Sequence, residues 1–137
     1  MDALPLIAVH WLHVSFGVFW LGSILFGRGV LFPALRTLPE STESAVRDAL
    51  VAGRSRQITT VVAIGTVTLG LIRGFLDGVF QRLLTPYGVT YLAAAVIGTA
   101  MVVWLLSPWL KTPLFSRLYV AGFGVMFTLM VAMRFGY

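Results

Sequence analysis

The residues of this 137-residue chain best suited to chemistry are its two histidines, His10 and His13, which both fall in an apolar run. At a spacing of three they share one face of a helix, and that face continues through Gly17 and Trp20. A polar side chain inside a membrane span is costly, so it normally faces the protein interior and marks a functional path. The spacing therefore predicts a helix face that could bind a ligand through neutral imidazole nitrogens.

Three methionines near the end of the chain form a second candidate face. Met126, Met130 and Met133 recur at helical spacing. Thioether sulfur together with neutral imidazole suits Cu(I), or haem iron with histidine and methionine axial ligands. The alternative is that the methionines simply fill the core. The predicted metal ligands are His13, His10, Met126 and Met130, and the predicted cofactor is copper or haem b.

Other polar residues are expected at the depth of the histidines. Arg73 and Arg134 could pair with haem propionates, a quinone oxygen or Asp77, or could snorkel to the membrane surface. Gly17 could let a flat macrocycle lie against the first helix, and Trp20 could point its indole N–H into the same cavity. Gly17 is explained equally well by helix packing, and the indole N–H of Trp20 by a hydrogen bond to a carbonyl on a neighbouring helix. The predicted cofactor-binding residues are His10, His13, Gly17, Trp20, Arg73, Tyr91 and Arg134.

The composition places these residues in a membrane. The chain is 58% hydrophobic and 11% charged, whereas a soluble domain has roughly 25% charged residues. A bilayer span takes about 20 apolar residues, and four stretches lack Asp, Glu, Lys and Arg: 3–27, 57–72, 83–110 and 118–133. This excludes a soluble enzyme and predicts one all-α domain over residues 1–137, an integral membrane four-helix bundle. Its helices are expected at about 5–34, 42–80, 87–107 and 114–135.

Basic residues predict the orientation of this bundle, because cytoplasmic loops carry an excess of Lys and Arg. Seven lie in or beside the first and third loops: Arg28, Arg36, Arg47, Arg54, Arg56, Lys111 and Arg117. Three lie at the opposite side: Arg73, Arg82 and Arg134. Both termini are therefore expected on the outer side of a plasma or inner membrane, with Trp104 and Trp109 in an aromatic belt. Since the net charge of +5 sits between apolar spans, nucleic acid is not expected as a partner.

Glycines suggest how the helices associate. Gly70, Gly74 and Gly78 recur every four residues, a spacing that lets membrane helices approach closely. It predicts a compact bundle, with a homo-oligomer or a larger membrane complex as the partner. Standard catalytic signatures are missing, which leaves enzyme activity open. One alternative function is an accessory or assembly subunit of a respiratory or photosynthetic complex. Another is a quinone or electron-transfer protein built around His10, His13, Arg73 and Tyr91.

One stretch of the chain resembles a known family. Residues 12–36, LHVSFGVFWLGSILFGRGVLFPALR, are similar to the opening helix of copper-resistance D (CopD)-like membrane proteins. In that pattern an L-H pair is followed by W-x-G, here Trp20 to Gly22, and the helix closes in P-A-L-R. Residues 60–75 resemble their second helix. A more distant likeness is to the haem-binding protoporphyrinogen oxidase (HemJ) family. The resemblance implies copper handling or b-type haem, with His13 as the first-helix ligand.

Overall fold

The structure, a computed structural model, describes residues 3–52, 54–107 and 112–137. Within these ranges the secondary structure consists of helices and turns, without strands. Its α-helices are α1 (Ala3–Phe26), α2 (Phe32–Leu35), α3 (Glu40–Ala52), α4 (Arg54–Leu76), α5 (Pro86–Leu106) and α6 (Pro113–Arg134). A π-helical turn (Gly27–Leu31) joins α1 to α2, and a 3-10 turn (Val79–Arg82) follows α4.

Four stretches of the described residues are helical, long and apolar enough to cross a membrane. They are Leu4–Leu35, Arg54–Leu76, Pro86–Leu106 and Arg117–Arg134. The all-α class is therefore confirmed, and the described residues include four helices suited to a multi-pass membrane protein. Two residues used to predict the orientation, Trp109 and Lys111, lie outside the described residues.

Proline and glycine set the element boundaries that differ from the predicted ones. Pro33 has no N–H to donate to the preceding turn, and the chain widens into a π turn just before it, with the N–H of Phe32 bonded to the carbonyl of Gly27. The first span thus continues through Pro33 to Leu35, close to the predicted end at residue 34. The helix predicted over 42–80 corresponds to α3 and α4, which are described up to residue 52 and from residue 54. It ends before Gly78, whose left-handed backbone (φ 68°) terminates a helix at little steric cost.

The packed core lies around Trp20. The four long helices are arranged in order, with α1 packed on α4, α4 on α5 and α5 on α6. Trp20, only 2% exposed, joins α1 to α6 through edge-on ring contacts with Phe123 and Tyr119, at centroid distances of 4.8 and 6.4 Å. Ala63 of α4 and Met101 of α5 complete this cluster. Every long helix therefore contributes to one core, and α1 meets α6 there.

Removing the Trp20 ring should therefore destabilise the whole bundle. We expect Trp20→Ala to lower the free energy of unfolding in mixed micelles by about 3–5 kcal/mol, the usual cost of deleting a buried large aromatic ring. Trp11→Ala is the matched control, because Trp11 lies on the same helix with 67% of its surface exposed. Equal losses for the two variants would show that the bundle does not depend on the Trp20 cluster.

Candidate functional site

Beyond Trp20, toward the end of the bundle where α1 begins and α6 ends (the terminal end), the helices surround a cavity. Its volume is about 930 Å³, near the upper limit of the roughly 300–1,000 Å³ usual for sites that bind small molecules and cofactors. All four long helices contribute to the wall. Of the residues predicted to bind a metal or cofactor, those that line it are His10, His13, Trp20, Arg73, Tyr91, Met126, Met130 and Arg134.

His13 is held in the cavity wall by the main chain of α4. Its Nδ1 lies 2.8 Å from the carbonyl oxygen of Thr66. A carbonyl oxygen can only accept, so Nδ1 carries the proton and donates it. The other ring nitrogen, Nε2, then keeps its lone pair, and no hydrogen bond to it is made by the part of the chain that the structure describes. Metal-binding histidines are oriented in this way, with one nitrogen bonded to a carbonyl and the other free.

Gly70 makes this hydrogen bond possible. In an α-helix the carbonyl of residue 66 points toward residue 70, and a side chain there would cover it. A Cβ atom at Gly70 would lie 2.9 Å from Cε1 and 3.2 Å from Nδ1 of His13. The imidazole therefore occupies the space that any other residue at this position would fill.

Tyr91 repeats the arrangement one turn further along α4. Its hydroxyl lies 3.4 Å from the carbonyl oxygen of Gly70 and 3.3 Å from that of Leu71. The ring lies where a Cβ atom at Gly74 would be. The glycine spacing of α4 does serve close packing, as the sequence indicates. Gly70 packs against an imidazole and Gly74 against a phenol, both from the same chain. The sequence analysis predicted neither contact.

Charged and phenolic groups surround the mouth of the cavity at the terminal end. The Tyr87 hydroxyl donates to Oδ2 of Asp77 at 3.3 Å, and Arg82 donates from Nη2 to the main-chain oxygen of Asp77 at 2.8 Å. Arg73 makes no ion pair with Asp77, and its buried Nε has no hydrogen-bond partner within the described ranges. With Arg134 also in the wall, the mouth holds three guanidinium groups and one carboxylate. An anionic group would be attracted to it.

The remaining predicted residues divide between the cavity and helix packing. Trp20 forms the cavity end nearest the core, where its ring packs against Tyr119 and Phe123. Met126 and Met130 line the wall from α6. Gly17 does not line the cavity in the described part of the chain. It faces Thr66, whose methyl carbon would lie 3.6 Å from a Cβ at Gly17. Helix packing therefore explains Gly17.

No cluster of three or more His, Cys, Asp or Glu side chains able to hold a metal ion occurs among the described residues. Comparison of the chain with models of known protein families, with curated proteins and with solved structures finds no match. The resemblance to CopD-like and HemJ proteins stays a prediction.

The dependence of His13 on Gly70 can be measured. We expect Gly70→Ala to destabilise the protein by about 1–3 kcal/mol, because an added methyl group overpacks the contact with the imidazole. The readout is the free energy of unfolding. In a His13→Ala background the same substitution should become neutral or stabilising, since alanine is the better helix former.

Gly22→Ala is the control, because nothing lies within 4 Å of a Cβ at Gly22. It should be neutral or stabilising in both backgrounds. If Gly70→Ala costs the same with and without His13, the imidazole is not what requires the glycine.

Proposed function

We propose that this protein is an integral membrane haem-binding protein of the CopD-like type, which holds one b-type haem in the cavity at the terminal end. The observation that carries the proposal is His13. Its Nδ1 donates to the Thr66 carbonyl at 2.8 Å, which leaves Nε2 as an unprotonated nitrogen on a side chain that lines a cavity of about 930 Å³.

The size and polarity of the cavity favour haem over copper. A copper ion needs a few converging ligand atoms and little further space, whereas this cavity has the volume of a cofactor site. Its interior wall carries apolar side chains such as Val67 and Ala94, and its mouth carries the arginines. A b-type haem has the complementary form, with a flat apolar macrocycle and two carboxylates along one edge.

Each wall residue then has a role. His13 would bind the iron through its imidazole, and Met126 or Met130 of α6 would supply a thioether ligand. Arg73 and Arg134 would bind the propionates, and the buried Nε of Arg73, which has no hydrogen-bond partner among the described residues, fits that role. A haem with such ligands supplies one-electron transfer. The protein residues orient the group and offset its charge.

Absorption spectra of the purified protein test the proposal. We expect a Soret band, and stoichiometric iron, after expression in haem-sufficient cells or after addition of hemin. His13→Ala should weaken hemin binding by at least roughly tenfold, because it removes the oriented ligand. His10→Ala is the matched control and should have a smaller effect, since His10 is exposed and makes no hydrogen bond to the described part of the chain.

Met126→Leu and Met130→Leu, measured separately, should identify the second ligand by a change in the spectrum of the iron. Met101→Leu is their control, because Met101 belongs to the core cluster. A folded protein that takes up no hemin would refute the haem proposal. Stoichiometric copper in its place would restore the alternative metal.

We further propose that both termini face the outer side of a plasma or inner membrane, which puts the cavity mouth on that side. The excess of basic residues in the first loop supports this orientation. The chain lacks cysteine, so single cysteines report topology cleanly. In intact cells a membrane-impermeant maleimide should label Tyr137→Cys but label Thr37→Cys only after permeabilisation. The reverse pattern would place the cavity on the cytoplasmic side.

A further inference from the structure

At the level of the cavity, three of the four pairs of neighbouring long helices are joined by side-chain contacts. His13 bonds α1 to α4 through the Thr66 carbonyl. Tyr91 bonds α5 to α4 through the carbonyls of Gly70 and Leu71. Between α5 and α6, the Cε atom of Met126 lies 3.5 Å from the Cβ position of Gly98. A ligand entering between any of these pairs would have to break the contact.

The fourth contact, between α1 and α6, is different. Trp20 joins these helices by its ring contacts with Phe123 and Tyr119, which lie on the core side of the cavity. Nearer the terminal end, two of the α1 residues that line the cavity are exposed: His10, and Val14 with 45% of its surface exposed. Among the described residues at this level, no hydrogen bond and no ring contact joins α1 to α6, which leaves a gap between the two helices.

The edges of this opening have the polarity of the bilayer beside them. Val14 on α1 and Met130 on α6 are apolar and lie nearer the core. His10 and Arg134 lie one or more turns closer to the terminal end, where the span meets the headgroups. An amphiphile in the membrane has the same order, with its apolar body among the acyl chains and its acid groups at the headgroup level.

We infer that the cavity is loaded from the lipid phase, through the gap between α1 and α6, by a flat amphiphile whose acid groups stay at the level of Arg134. The inference rests on the proposed function, because hemin is the flat, acid-bearing amphiphile that the cavity is proposed to hold. It adds the route of entry and the orientation of the ligand. The acid groups remain near water throughout, so their charge is never carried into the hydrocarbon layer.

The route is tested by narrowing the gap after the protein has folded. Val14→Cys is reconstituted in phosphatidylcholine vesicles and modified with a bulky maleimide, and hemin uptake and release are followed by absorbance. The control is Val18→Cys, one turn along α1, where the side chain is 66% exposed and does not line the cavity. Modification at residue 14 should slow uptake and release together by roughly tenfold, the effect of a raised barrier. Modification at residue 18 should change neither rate.

The outcomes separate the route from the function. If hemin binds neither unmodified protein, the haem proposal and the route fail together. If hemin binds and both modified proteins keep the unmodified rates, or both slow equally, the route fails while the haem proposal stands. An effect at residue 14 confined to release, with uptake unchanged, would also overturn the route, because an obstructed opening must slow both directions.

The orientation of the ligand is tested with hemin dimethyl ester, in which both acid groups are neutralised. Arg134→Gln should weaken binding of hemin by roughly tenfold, the size expected for loss of a charge-assisted hydrogen bond. It should leave binding of the ester unchanged. Arg36→Gln is the control, because Arg36 follows α2 at the opposite end of the bundle. An equal loss for hemin and its ester would show that the acid groups are not held at Arg134.

Discussion

The hydrogen bond from His13 to the Thr66 carbonyl is the interaction on which the site depends. A carbonyl oxygen has two lone pairs, so it can accept a side-chain donor and still take part in its own helix. Through this one contact of 2.8 Å, α1 is set against α4 at the level of the cavity. The same contact determines which nitrogen of the imidazole is free, and it requires that residue 70 be glycine.

The two halves of the bundle have different roles: the half around Trp20 stabilises the fold, and the terminal end forms the cavity. Around Trp20 the helices are held by aromatic contacts and small side chains, with Ala63 fully buried. At the terminal end they are connected by polar side chains that reach main-chain oxygens. In lipid the hydrophobic effect does not draw helices together, so a space remains where small residues and interlocking rings do not fill it. The cavity is thus compatible with a stable bundle.

Much of the site could be predicted because depth in a membrane follows from counting along apolar runs. His13, Arg73, Tyr91 and Met126 come from four different helices, and the count placed them at one level, where the structure brings them into one cavity wall. The predictions for glycines were less complete. Gly17 packs on Thr66, Gly78 forms a turn, and Gly70 and Gly74 admit rings. Glycine spacing predicts that another group packs closely against the helix, but it does not predict which group that is.

The sequence by itself determined that the chain is helical and has four segments long and apolar enough to cross a membrane, because a backbone in lipid must satisfy its own hydrogen bonds within a helix. It also indicated which polar residues on different helices lie at the same level. Only the tertiary structure decided which side chains meet across the helices. That choice depends on how each helix is rotated about its axis and on which carbonyl oxygens its neighbours leave uncovered. Both are properties of packed pairs of helices, and neither can be deduced from the periodicity of a single helix.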